Sequence, residues 1–132
     1  MIAMALVLLA HGSPDPDWMA PIERTAARVR ELAPGVQVRI ATLDPTHRAL
    51  GDVIDELAAA GHRHVEIIAL FLSPGGRHIK RDIPELVAQI QADRPHLALN
   101  LIPGAIGTEA RVIDALAGAA LDLAGITLDR SI

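Results

Sequence analysis

The chain has no cysteine and no tyrosine, one phenylalanine and one tryptophan. Without thiols there is no disulfide framework, no thiolate metal site and no cysteine nucleophile, so a bound metal must rest on nitrogen and oxygen ligands. Aromatics make up 2% of a chain that is 51% hydrophobic. The core must therefore be built from Ala, Val, Leu and Ile, a composition suited to buried parallel strands under alanine-rich helices. Excess positive charge is also missing. The formal net charge is −4, which argues against general nucleic-acid binding, because phosphate affinity needs a broad basic footprint. No apolar run reaches the length of a membrane span, so no membrane partner is expected. Residues 1–10 imitate the apolar part of a signal peptide, but no basic residue precedes them and His11-Gly12-Ser13 is not a small-residue cleavage pattern. They read as a first strand, in a protein expected to be cytoplasmic. There is no G-x-x-x-x-G-K-[ST], no G-x-G-x-x-G after that strand and no G-x-S-x-G, which argues against a nucleotide site and against an α/β-hydrolase.

What is present is one domain's worth of alternating strand and helix patterns over residues 1–132. Residues 3–10 form a continuous apolar strand. Met19, Ile22, Ala26, Val29 and Ala33 recur at helical spacing before Pro34-Gly35 stops the helix. Residues 36–42 form a second strand, interrupted by Gln37 and Arg39 as an outer strand tolerates. A second helix carries Leu50, Val53, Ile54, Leu57 and Ala58 and ends at Gly61. The third strand is 64–70. The third helix has Asp82 as its N-cap, Pro84 in its first turn and Ile83, Leu86, Val87 and Ile90 as its stripe, and closes at Arg94-Pro95. Residues 97–102 make the fourth strand, and Thr108 caps a last helix to about Ala124. Between 110 and 124 only Arg111, Asp114 and Asp122 are charged, leaving either a face for a second protein surface or an exposed, alanine-tolerant one. Short connections in a βαβαβαβα pattern give an α/β, three-layer αβα sandwich with a four-stranded parallel sheet in the order 2-1-3-4, flavodoxin-like in layout.

The chemistry concentrates in residues 71–81, F-L-S-P-G-G-R-H-I-K-R, where a strand breaks at the carboxyl edge of the sheet. In open α/β sheets that edge is where ligands bind. Ser73, Gly75, Gly76, His78 and the cations Arg77, Lys80 and Arg81 suit a metal, an anion, or both. His11 ends strand one, and the strand order places it across the same crevice as His78. Asp44 and His47 follow strand two on the same edge, farther from the crevice; Asp44 serves either function or the turn before Pro45. His62 and His64 fall at the opposite, amino edge, and His96 there reads as a surface residue. Trp18 reads first as a staple at the start of helix one, and second as a lid over a flat ligand.

His11-Gly12-Ser13 after the opening strand, together with F-L-S-P-G-G-R-H-I-K-R-D-I-P over 71–84, resembles the class II tetrapyrrole chelatases. The likeness is to the short single-domain sirohydrochlorin chelatases of sirohaem and cobalamin synthesis, and it runs over nearly the whole chain. H-G-S alone is weak; the combination is specific. The resemblance implies a chelatase-like fold and ATP-independent insertion of Co2+ or Fe2+, in some members Ni2+, into sirohydrochlorin. The metal is then a substrate, no cofactor is permanently bound, and the partners are a tetrapyrrole, the metal ion and a second copy of the chain, since short members act as homodimers. It places the metal ligands at His11 and His78, with Asp44 joining them in catalysis. Ser13, Ser73, Gly75, Gly76, Arg77, Lys80 and Arg81 are then the substrate-binding candidates. Family members commonly carry a glutamate after strand two in a segment like F-L-E. Thr42-Leu43-Asp44 stands here, one methylene shorter, and His47 is a candidate to supply the missing reach. Two other readings are a metal or tetrapyrrole carrier without turnover, and a flavodoxin-like binder of phosphorylated ligands.

Overall fold

The computed structural model describes residues 4–44, 48–73, 75, 76 and 78–127, the side chains of His78 and Ile79 excepted. The chain runs β1 (Ala5–Ala10), α1 (Pro16–Leu32), β2 (Gln37–Thr42), α2 (Leu50–Ala59), β3 (His64–Ala69), a π-helical turn (His78–Asp82), α3 (Ile83–Ala92), β4 (Ala98–Leu101), a 3-10 turn (Ile106–Thr108) and α4 (Ala110–Leu123). The strands form one parallel sheet in the order β2-β1-β3-β4, as the pattern predicts. β1 is central, with Leu9 registered against Ala41 on one side and Ala69 on the other.

Side chains alternate across the sheet, so each strand feeds two cores. Val7, Leu9, Val65 and Ile67 pack against Ile54 and Leu57 of α2 and Ile83 of α3, and all are 0–1% exposed. Burying one such Leu, Ile or Val contributes about 1.5–3 kcal/mol. On the other face Leu8 and Val38 meet Ala26 of α1, with Leu6, Val29 and Ile40 around them. Arg94, just past α3, ties that helix layer together: its Nε and Nη2 donate to Asp55 Oδ1 and Oδ2 at 2.6 and 2.9 Å. This bidentate hydrogen bond, with the arginine charge, holds the Asp55 carboxyl below the ordinary carboxylate range.

Three local expectations are overturned. α1 starts at Pro16, earlier than its apolar stripe shows, because Asp15 caps it by accepting from Asp17 N–H at 2.9 Å. Asp82 does not cap α3: its backbone is already helical (φ −66°, ψ −43°), since the chain enters through the π-helical turn. Thr108 does not cap α4 either. It closes the 3-10 turn by donating to Ala105 O at 2.8 Å, and Glu109 takes the cap by accepting from Arg111 N–H.

α4 is the exception to the layered packing, for none of its residues is buried. Ile113 and Leu116 are about half exposed and Leu123 is 90% exposed. Nearby, Ile102 is also substantially exposed. Among the described residues no helix is long and apolar enough to cross a membrane.

Candidate active site

β1, β2 and β3 end side by side, and their pairing continues beyond the strands. Leu43 N–H donates to Ala10 O at 3.0 Å, Asp44 N–H to His11 O at 2.9 Å, and Leu70 N–H to Leu9 O at 2.8 Å. Asp44 is therefore next to His11, nearer than its place on an outer strand suggests. Gly12 makes that approach possible. Its φ is +87°, and a Cβ there would lie 2.8 Å from Thr42 Cβ and 2.9 Å from Asp44 Cβ. Only glycine meets both the dihedral and the space. Thr42 braces the other side of Asp44, with its hydroxyl donating to Asp44 O at 2.9 Å and its N–H to Arg48 O at 2.9 Å.

His11 is exposed at the edge, with Nδ1 3.3 Å from Gly12 O. The tautomer that donates from Nδ1 to this carbonyl keeps the lone pair on Nε2, the form in which imidazole binds a metal. Ser13 is half-buried and turns the chain into α1, its Oγ accepting from Asp15 N–H at 3.1 Å. On the far side of the crevice, Ser73 Oγ accepts from Gly75 N–H at 3.1 Å, and Gly76 takes a φ of +86°. His78 opens the π-helical turn, and Lys80 within it is exposed. Arg81 Nε donates to Glu85 Oε1 at 3.3 Å, both side chains being 66% exposed, a pairing weak enough to be given up for an anionic ligand. Arg77, His47 and the side chain of His78 lie outside the described residues.

The edge opens into a cavity of about 380 Å³ with His11 and Ala10 on its floor. Trp18 and Ile22 of α1 form one wall; Leu70, Phe71 and Leu72 form the other. Because α1 begins at Pro16, Trp18 is its third residue, inside the helix, and does not hold the position before the cap that a staple requires. Gly107 fixes the second wall from behind. Its N–H donates to Phe71 O at 2.9 Å, and a Cβ would stand 2.0 Å from Leu72 O. This support is invisible to sequence reasoning, since a lone glycine after a strand reads as an ordinary loop residue.

At the amino edge the histidines part company. His62 is buried, whereas His64 is exposed and its Nε2 lies 2.8 Å from Glu66 Oε1. Glu66 also accepts from Asn100 Nδ2 at 2.6 Å, and these two bonds, that to His64 foremost, hold its carboxyl below the usual range. No ligand pair forms there, and among the described residues no three His, Asp or Glu side chains converge to hold a metal ion.

A parallel sheet with β1 between β2 and β3 defines a doubly wound α/β protein, and the polar side chains gathered where those strands finish make the switch point its candidate site. The CbiX family model matches residues 5–122, and the chain belongs to the CbiX family. A sirohydrochlorin cobaltochelatase from Methanococcus aeolicus is 30% identical over 89 residues, which is 67% of this chain and 62% of that protein. Among solved structures, a cobalamin (vitamin B12) biosynthesis CbiX protein from Marinobacter aquaeolei superposes with a TM-score of 0.79 at 23% identity, covering 92% of this chain and 95% of that one. The sirohydrochlorin chelatase SirB from Bacillus subtilis subspecies spizizenii, in complex with cobalt, gives 0.75 at 20% identity, covering 92% of this chain but 51% of SirB. SirB from Bacillus subtilis with Fe3+ gives 0.74 at 19% identity, covering 91% of this chain and 47% of SirB. At these identities the structural likeness speaks for the fold.

Proposed function

We propose that this chain is a sirohydrochlorin chelatase, inserting a divalent metal, cobalt or ferrous iron, into the macrocycle without ATP. The observation that carries the reading is the junction of Asp44 with His11, which lines the cavity, while the loop to His78 leaves from the wall formed by residues 70–72. Membership of the CbiX family and the name of the Methanococcus relative support it. In this reading His11 and His78 hold the incoming metal. Two neutral imidazoles bind first-row divalent ions while leaving positions open for transfer. Insertion expels two pyrrole N–H protons, and Asp44, beside His11, is the base that takes them up. Ser13, Ser73 and the backbone of Gly75 and Gly76 line the approach, while Arg77, Lys80 and Arg81 meet the carboxylates around the macrocycle. The metal is a substrate, nickel is accepted by the same ligand chemistry, and no cofactor stays bound. The reaction belongs to the cytoplasm.

The same reading takes the active form as a homodimer. No residue of α4 is buried within its own chain, and the SirB chains that this chain resembles are about twice as long as the part matched. A second copy can occupy the place of that remaining half.

The test is spectroscopic. Substoichiometric protein mixed with sirohydrochlorin and cobalt(II) should shift the pigment spectrum through many equivalents, faster than a protein-free control. A carrier would stop after one equivalent. Replacing His11 and His78 together by alanine should remove the acceleration, and full activity in that double variant would reject the assignment.

A further inference from the structure

We infer that Trp18 is the platform on which one face of the tetrapyrrole rests while its centre meets His11, an inference that rests on the chelatase reading above. The chain is poor in aromatics and has a single tryptophan, yet that indole stands 55% exposed on the wall of the cavity whose floor is His11. Its position is built. Asp15 caps α1, accepting from Asp17 N–H through its side chain at 2.9 Å and from Trp18 N–H through its carbonyl at 3.1 Å. The adjacent Met19 is buried and anchors the first turn. Ile22, one turn further along α1, continues the same wall.

An exposed indole on an otherwise apolar wall offers a flat π-surface with no charge to satisfy. A conjugated macrocycle has two such faces, with its carboxylates confined to the rim. Laid against Trp18 and Ile22, it buries an apolar face and leaves the rim outside the cavity, free to meet exposed cations such as Lys80 and Arg81 of the loop that follows Leu72. The cavity takes part of the ring, and the face turned away from Trp18 is the one whose central nitrogens are presented to the metal-binding imidazole. Recognition is thus divided: Trp18 reads the flat face, the basic residues read the rim, and His11 reads the metal.

The experiment compares the full chain with Trp18→Ala and Trp18→Phe. Dissociation constants for metal-free sirohydrochlorin are read from pigment absorbance, those for cobalt(II) by calorimetry, and KM and kcat from the insertion assay. Loss of aromatic stacking should weaken pigment binding and raise KM by about tenfold in Trp18→Ala, with cobalt affinity, oligomeric mass and kcat at saturation near wild type. Trp18→Phe, which keeps a ring, should recover most of the loss. Unchanged pigment affinity and KM in Trp18→Ala would overturn the inference, as would a fall in cobalt affinity and kcat with KM intact, because the residue would then act through the placement of His11. A wild-type protein that binds pigment through Trp18 yet never turns over would leave this inference standing and reject the chelatase reading. A protein that binds no pigment would reject both.

Discussion

At Gly12, three demands fall on one residue: a backbone with φ of +87°, a strand end that must release His11, and contact with Thr42 and Asp44 closer than any Cβ tolerates. The junction of His11 and Asp44 therefore depends on a residue with no chemistry of its own. Gly12→Ala should lower stability by about 1–3 kcal/mol, read as a shifted urea midpoint at unchanged slope. It should also weaken cobalt binding, because relief of the clash with Thr42 and Asp44 shifts the backbone that carries His11. Gly125 supplies the comparison, with φ of +71° but nothing within 4 Å of where an added methyl group would stand. Gly125→Ala meets only the dihedral penalty, about 1 kcal/mol, and should leave metal binding untouched. Equal cobalt affinity in both variants would show that the Gly12 contact does not set the site.

Among the elements, the loop after β3 is the one that must be both open and fixed. It carries Ser73, the glycines and the approach to His78, and where it leaves the sheet Leu70 N–H bonds back to β1. Its second support is the 3-10 turn after β4, through Gly107. Gly107→Ala would drive a methyl group into Leu72 O, displacing the wall of the cavity. Overpacking of this kind costs about 1–3 kcal/mol. The expected outcome is a lower kcat for insertion with α-helical circular dichroism retained; a variant with wild-type kcat would show that this loop is positioned from elsewhere. The contrast marks what is legible in the sequence. Periodicity locates the strands, the stripes of α1 to α3 and the sheet order, because burial on both faces writes itself into Val, Leu and Ile spacing. His11 and the 71–81 loop are legible for the same reason, each following a strand directly. Contacts between distant backbones leave no such trace. Gly107 against Leu72, Asp44 bonded to His11 and the π-helical turn displacing Asp82 from its cap all depend on tertiary packing. The early start of α1, by contrast, is written in Asp15-Pro16 and masked by a stripe that begins at Met19. That three-residue difference turns Trp18 from a staple into a wall of the site.

For the molecule as a whole, α4 poses the physical problem. A helix with Ile113 51%, Leu116 47% and Leu123 90% exposed, followed by Ile126 at 55%, presents an apolar surface of the kind that marks contact with another protein surface. Its own sheet does not use it. If α4 meets a second copy, the interface should approach the roughly 1,200–2,000 Å² of a stable pair. The wild-type chain should then scatter light as two chains of 14.0 kDa at micromolar concentration. Leu116→Arg puts a charge in the middle of the exposed stripe, where a buried, unpaired guanidinium costs several kcal/mol, and should give a monomer. Because Leu116 is not buried within its own fold, the variant should keep its urea midpoint for unfolding of the monomeric domain. A wild-type protein that scatters as a monomer would remove the dimer. A dimer unaffected by Leu116→Arg would move the interface off α4. Insertion kinetics on the monomeric variant then separate assembly from chemistry: activity lost with the dimer means that a partner completes the cavity, whereas activity retained means that His11, Asp44 and the loop to His78 suffice within one chain.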